Sequence, residues 1–282
     1  MVSFRYHLTS LAAALLALAV GIVVGTTSLS AEPVRTASAP AVATSDDVAT
    51  EDLAGRVGSH LIRGALPGEK VLLLLAPDAP AEATRTVVAA LTRAGASVTA
   101  QVHLLPTLLD ASGTQTVDGV VSGTAPAGLA LPSGSLPRAA ALLAASLVSS
   151  DQGTDVTGLA QQKVLGGFTG GSLVSVDGAL PSARATLVLL LAGPARGPAL
   201  ATLASGFQSR VGTVVVGTSA SATGRGVVAE LRASGSGVTD VDGLGSSAAL
   251  LATVLALDEQ ASGKSGHYGV GPKATGIVPD LG

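Results

Sequence analysis

Apolar and polar positions along the chain follow a pattern that predicts alternating strands and helices. Val71 to Leu75 is a continuous apolar run, typical of a strand buried on both faces. Residues 80–94 then place apolar side chains on one helical face, and residues 98–102 form a second short strand pattern. These three segments predict one β-α-β unit, the building block of a parallel sheet.

The second half of the chain continues this alternation. Val188–Ala192 repeats the pattern of Leu72–Ala76, so either an internal duplication or the abundance of Leu and Ala explains the match. Strands are predicted near 186–191, 212–216 and 237–241, and helices near 198–208, 225–233 and 246–261. The order predicts an α/β sandwich with a mainly parallel sheet.

Two other stretches complete the prediction of elements. Apolar residues at helical spacing predict a helix from Val48 to Ile62, ahead of the first strand. Residues 104–184 show a weaker pattern. Within them, Arg138–Ser149 is predicted as a helix and the glycine-rich stretch Gly166–Gly171 as a loop.

The N-terminus predicts a membrane segment. No residue from Leu8 to Ala31 is charged, which gives the ~20 residues that a transmembrane helix needs. A cleaved signal peptide is the alternative, but a retained anchor is favoured, with residues 8–29 in the membrane. Arg5 precedes the span, so the N-terminus is expected in the cytoplasm and the body outside it. Gly21 and Gly25 offer a face for self-association, hence a possible homo-oligomer.

The chain is therefore expected to have four parts. Residues 1–30 form the anchor, or an uncleaved signal, and residues 31–46 form a flexible linker rich in Ala, Pro, Ser and Thr. Residues 47–262 form the α/β domain. Residues 263–282 form a tail that is rich in Gly and Pro and has little regular structure.

Composition excludes several classes of function. The net charge is −3 and no run of Lys or Arg exists, so no nucleic-acid surface is expected. Cysteine is absent, which removes disulfides, zinc fingers and thiol catalysis.

Candidate catalytic and nucleotide-binding motifs are weak. Gly224-x-Gly226-x-x-Ala229 resembles a dinucleotide-binding fingerprint, but its glycines do not follow a strand directly. Asp78 follows the first strand of the domain, where it is expected to cap the next helix or to shape a turn. Asp240 and Asp242 are expected to flank an exposed strand. The sequence predicts no enzyme, and no catalytic, cofactor-binding or metal-binding residue.

The four histidines share no short spacing that would mark a metal site. His7 precedes the apolar segment, His60 lies on a predicted helix, His103 ends a strand and His267 lies in the tail. Each is expected to be a structural or solvated residue rather than a ligand.

Three segments carry a resemblance to a known family. They are MVSFRYHLTSLAAALLALAVGIVVGTTSLS at the start, the block over 55–104, and ALLATVLALDEQASGKSGHYGVG near the end. These segments resemble the actinobacterial MctB family of copper-transport proteins, often described as an outer-membrane channel. The resemblance implies a cell-envelope protein in copper efflux or homeostasis. This chain departs from the family in its short linker and in keeping only His267 in the tail.

The channel description does not agree with the residue pattern. After residue 31 the aromatic residues are Phe168, Phe207 and Tyr268, too few for the two aromatic girdles of a transmembrane β-barrel. A membrane-anchored α/β domain is expected instead, not a barrel. The leading hypothesis is copper homeostasis at the envelope, with copper as a partner by resemblance alone. A non-catalytic periplasmic scaffold or regulator of cell-wall or division machinery, with envelope proteins as partners, is the alternative.

Overall fold

A mainly parallel sheet forms the centre of the domain in the computed structural model, which describes residues 55, 58–150, 154–178, 181 and 183–280. Its strands are β1 (Lys70–Leu75), β2 (Ser97–Leu104), β3 (Val174–Val176), β4 (Leu187–Ala192), β5 (Gly212–Gly217), β6 (Thr239–Val241) and β7 (His267–Tyr268). Their spatial order is β3-β2-β1-β4-β5-β6-β7. Every neighbouring pair is parallel except β2 with β3. The predicted α/β class and mainly parallel sheet are confirmed.

Helices cover both faces of this sheet. They are α1 (Ala81–Ala94), α2 (Pro106–Leu109), α3 (Thr114–Thr124), α4 (Ser135–Leu147), α5 (Gly158–Gly170), α6 (Gly197–Gln208), α7 (Val227–Ser234) and α8 (Ser247–Ala261). Of the helix predicted over 48–62, the described part is helical at residues 55 and 58–61. Gly95 ends α1 with a φ of 90°, in the left-handed region that glycine enters without strain.

Alternating side chains of the central strands point into two separate cores. Leu72 and Leu74 of β1 lie in a core shared with α3, α4, α5, α6 and α7. Leu73 and Leu75 lie in a second core with α1 and α8. β1 is therefore apolar on both faces because both faces are covered, as the continuous run Val71–Leu75 predicted.

The loop predicted at Gly166–Gly171 is wrong, because residues 158–170 form helix α5. The glycines instead allow α5 to approach α3. A Cβ atom on Gly167 would lie 2.5 Å from Cγ2 of Thr124, and one on Gly171 would lie 2.7 Å from Cγ2 of Val120. Close helix packing, rather than a turn, explains Gly167 and Gly171.

The membrane prediction concerns residues that are not described. Residues 8–29, including Gly21 and Gly25, lie outside the described ranges, as does the linker 31–46. No helix within the described ranges is both long and apolar enough to cross a bilayer.

Candidate functional site

The first candidate site is the point where the strand order reverses. The chain leaves β1 toward β2 on one side, whereas β4 lies on the other side of β1. In open α/β sheets, ligands bind in the crevice that such a reversal leaves beyond the carboxyl ends of the strands. Asp78 follows β1 at this point and Gly193 follows β4.

The segments that follow β1 and β4 are in close contact at this point. A Cβ atom on Gly193 would lie 2.5 Å from both the carbonyl oxygen and Oδ2 of Asp78. Oδ2 of Asp78 also accepts a hydrogen bond of 2.7 Å from the backbone N–H of Ala195, and its Oδ1 is buried without a partner. Helix α1 begins after Pro80 with no side-chain cap. Of the two roles expected for Asp78, the helix cap is therefore wrong, because its carboxylate links the segments after β1 and β4. Asp78 does lie in a turn, at residues 77–78.

An ion pair lies at the same edge of the sheet. Arg196, at φ 59°, precedes α6, and its Nε and Nη2 donate to the two carboxylate oxygens of Asp110 at 2.7 and 3.2 Å. This hydrogen bonding holds the pKa of Asp110 below its ordinary value and raises the pKa of Arg196. No sequence pattern predicts this pair, because Asp110 follows a helix of one turn that has no recognisable apolar period.

The glycines of the dinucleotide-like motif belong to a different environment. A 3₁₀ turn at Ser219–Ala222 separates them from β5, and Gly226 is the residue before α7. A Cβ atom on Gly197 would lie 2.5 Å from the carbonyl carbon of Gly226, so this loop packs against the start of α6. The arrangement lacks the strand–turn–helix context that phosphate binding by this motif requires.

The second candidate site is a buried ionic cluster at the other end of the sheet. We define the C-terminal strap as residues 263–280, whose strand β7 pairs with β6. Arg232 of α7 reaches this interface, and its Nε and Nη2 contact Asp240 at 2.7 Å and Asp242 at 2.8 Å. Both carboxylates are buried, at 0% and 2% exposure. The expectation that they flank an exposed strand is wrong, because the strap covers them.

The strap is bound to this cluster through His267 and through several of its backbone groups. His267 Nδ1 lies 2.5 Å from Oδ2 of Asp240. The backbone N–H groups of Val270 and Gly271 donate to the carboxylate of Asp242, at 3.0 and 2.9 Å. Burial raises the pKa of Asp240, and the charges of Arg232 and His267 oppose that shift.

Tyr268 completes the contacts of the Gly-His-Tyr-Gly segment. Its side chain is almost fully buried, and its hydroxyl donates to Oε2 of Glu259 on α8 at 2.5 Å. Burial, and then the hydrogen bond and charge of Glu259, raise the pKa of Tyr268. Gly269 adopts φ 119°, and a Cβ atom there would lie 2.5 Å from the carboxylate oxygens of Asp242. Every residue from His267 to Gly269 therefore has a packing role.

The histidines of the described chain do not converge on one point. His60 is exposed at the end of the first helical turn, and His103 Nε2 pairs with Asp177 at 3.1 Å on the far edge of the sheet. His267 is bound to Asp240, as described above, and His7 lies outside the described residues. Within the described ranges, no three His, Cys, Asp or Glu side chains are grouped so that they could hold a metal ion.

These features define a doubly wound α/β domain whose segments after β1 and β4 are in contact, and whose C-terminal strap pairs with β6 at the edge of the sheet. The family model described as "Copper transport outer membrane protein, MctB" matches residues 1–279. The chain therefore belongs to the MctB family, and the resemblance seen in its sequence is confirmed.

Relatives of known name align along the whole chain. Two proteins named copper transporter MctB, from Mycobacterium tuberculosis and Mycobacterium bovis, are each 29% identical to it over 311 aligned positions. A protein of the same name from Mycobacterium leprae is 29% identical over 322 positions. Each alignment covers 99% of this chain and 99% of the relative.

Proposed function

We propose that this protein acts in copper efflux or homeostasis at the cell envelope. The observation that supports the proposal is the family match over residues 1–279. Relatives that are named copper transporter also align with 99% of this chain. The apolar segment 8–29 would hold the protein to a membrane, with its N-terminus in the cytoplasm and its α/β domain outside. Envelope proteins and further copies of the chain would be its partners.

The role would be non-catalytic and would not require a copper centre built into the α/β domain. The segments after β1 and β4 are in contact at Asp78 and Gly193, so the chain itself fills the point where the strand order reverses. Copper(I) favours thiolate and thioether ligands, yet the chain has no Cys and its single Met is Met1. The described residues also lack a group of three ligands. The domain would therefore support copper export through the proteins that it contacts.

The test is total cell copper in a strain that lacks the gene, grown with added copper. Copper should rise in the deletion strain and return to the parental level when the full chain is supplied. An unchanged copper content would contradict the proposed function.

Histidine variants in the same strain would test whether His267 is a copper ligand. His267→Asn retains a donor at the position of Nδ1, so it keeps the bond to Asp240 while removing Nε2. His103→Asn is the matched control on the other edge of the sheet. Both variants should restore normal copper. Failure of His267→Asn alone, at a normal protein level on immunoblots, would instead indicate direct ligation.

A scaffold or regulator of cell-wall or division machinery is the second candidate. The predicted anchor, the linker 31–46 and the contact of Asp78 with Gly193 at the reversal point suit a protein that acts through contacts rather than chemistry. This candidate predicts septal or polar localisation and capture of an envelope partner, with no copper phenotype. Fluorescence imaging of the same deletion and complemented strains separates the two functions.

A further inference from the structure

A groove on the face of the domain that bears α4 and α6 has features of a binding site. We define the α4–α6 groove as the cavity of about 610 Å³ between these helices and the segment 129–132. Cavities of this size are typical of sites for small molecules and cofactors. Its walls are mostly apolar and include Leu129, Leu131, Pro132 and Ala141.

An arginine is among the residues that line the groove. Arg210, just beyond α6, lines the cavity, and only 11% of its side chain is exposed. Its Nη2 contacts Asp155 at 2.6 Å, but its Nε is buried with no hydrogen-bond partner. A guanidinium group with an unused buried donor is unusual, because such groups normally satisfy their donors.

The cluster around Arg210 carries more positive than negative charge. Arg184 shares the same carboxylate, with its Nη2 3.2 Å from Asp155 Oδ1, and is 15% exposed. The other donors of Arg184 bind backbone carbonyls, including those of Val148 and Val156. Carbonyls carry no net charge, so among the described residues two guanidinium groups face one carboxylate. An anionic group from outside would balance this excess.

We propose that the α4–α6 groove binds a single-chain anionic amphiphile of the fatty-acid class. The carboxylate lies at Arg210, and the acyl chain lies along Leu129, Leu131 and Ala141.

Three other cavities of the described chain differ from it. The cavity beside His103 has its arginine, Arg85, paired with Glu82, and the cavity between α1 and α8 has no Lys or Arg among its described lining residues. The third cavity shares Arg210 and includes Lys264, but its lining is mainly polar. Among these four cavities, the α4–α6 groove alone joins mostly apolar walls to the Arg210 cluster.

Photo-crosslinking of the full chain in intact cells tests the proposal. Cells would be fed a palmitic acid analogue with a diazirine near its methyl end, irradiated, and the chain purified for peptide mass spectrometry. Label is expected on peptides that contain residues 129–145 or 198–210. Palmitate should compete with the probe at least about tenfold better than hexadecanol, which lacks the charge that Arg210 recognises.

Two variants make the result specific. Arg210→Gln should reduce the labelling about tenfold, since a hydrogen bond to a charged group is lost, whereas Arg93→Gln on the exposed side of α1 should not change it. Because Arg210→Gln also removes an ion pair, Ala141→Leu provides an independent test that fills the groove and leaves the cluster intact. Thr92→Leu, exposed on α1, is its control. Label elsewhere in the chain, or undiminished label in folded Ala141→Leu protein, would overturn the proposal.

The identity of the ligand can be determined in the same experiment. Lipids extracted from the purified chain should contain free fatty acid, and Ala141→Leu should lose it. Phospholipid in place of free fatty acid would overturn the proposal of a single-chain ligand. This result does not depend on the copper phenotype, so each proposal can fail alone.

Discussion

Arg232 and Asp240 lie 2.7 Å apart with both side chains at 0% exposure. Burying two charges costs solvation free energy that their mutual attraction only partly offsets. A buried ion pair therefore destabilises the fold unless each of its polar groups is hydrogen-bonded. Here Asp242, His267 and the carbonyls of Tyr268 and Pro272 complete the bonding. The cluster fixes the C-terminal strap on β6.

Removing the cation of this cluster should strongly destabilise the domain. Arg232→Met leaves Asp240 and Asp242 buried without their shared partner, and we expect a loss of ~3–5 kcal/mol in the free energy of unfolding. Arg85→Met, which removes an exposed pair with Glu82, should change it by less than ~0.5 kcal/mol. Urea unfolding of both proteins measures the difference. Equal losses would mean that burial does not determine the importance of the pair.

The strap shows what the sequence could and could not predict. The Gly and Pro of residues 263–282 predict little regular structure, and the strap contributes the two-residue strand β7 to the sheet. What the pattern could not show is that the segment is packed. Arg232 lies on a short helix, and no sequence pattern distinguishes it from an exposed arginine. Its burial requires β6, the strap and α7 to come together from three parts of the chain.

Glycine at position 269 should be required for the strap to close. In Gly269→Ala, the φ of 119° is strained and the new Cβ lies 2.5 Å from the carboxylate oxygens of Asp242. Gly263→Ala is the control, because it also has positive φ, 76°, but no atom within 4 Å of the new Cβ. We expect Gly263→Ala to cost ~1–2 kcal/mol and Gly269→Ala at least about 2 kcal/mol more. Urea unfolding and the rate of proteolysis after residue 263 measure both effects, and similar behaviour of the two variants would contradict the close packing.

Helices and strands with a strong apolar period were predicted to within a few residues. Strand β4 is a continuous apolar run buried on both faces, whereas helices α6 and α8 each bury an apolar face. Strand β3, by contrast, has three residues and pairs only with β2, so no periodicity could reveal it. The candidate sites depend on side chains brought together across the sheet, which sequence spacing does not encode.

The repeated pattern at Leu72 and Val188 also has a physical explanation. The two residues are partners in the pairing of β1 with β4, and both point into the same core. The helices that follow these strands lie on opposite faces, α1 in one core and α6 in the other. Residues at this spacing are therefore not structural equivalents in a duplicated unit. The similarity reflects two central strands that are covered on both faces.

Tyr268 should ionise only when the protein unfolds at high pH. Its pKa is raised by burial and by Glu259, so the folded state holds the phenolic proton more tightly than the unfolded state does. This contribution is fully present below the unfolded pKa of about 10 and is lost as the pH rises toward the folded value. In a Tyr6→Phe protein, Tyr268 is the only tyrosine. Absorbance at 295 nm should stay flat near pH 10 in buffer and titrate there in urea. A normal titration of the folded protein would contradict the buried hydrogen bond.

Neighbouring glycines of α5 should respond to alanine with opposite signs. A Cβ atom on Gly166 meets no atom within 4 Å, so Gly166→Ala gains helix propensity and should stabilise the domain by ~0.5–1 kcal/mol. A Cβ atom on Gly167 would lie 2.5 Å from Cγ2 of Thr124. Gly167→Ala should therefore push α5 away from α3 and destabilise the domain by ~1–3 kcal/mol. Both substitutions reduce the freedom of the unfolded chain equally, so their difference isolates the packing. Urea unfolding of the two variants and of Gly167→Ala combined with Thr124→Ser, which removes the opposing methyl group, measures it. The added Thr124→Ser should recover part of the loss, whereas a loss unchanged by it would show that the α3–α5 contact does not require glycine.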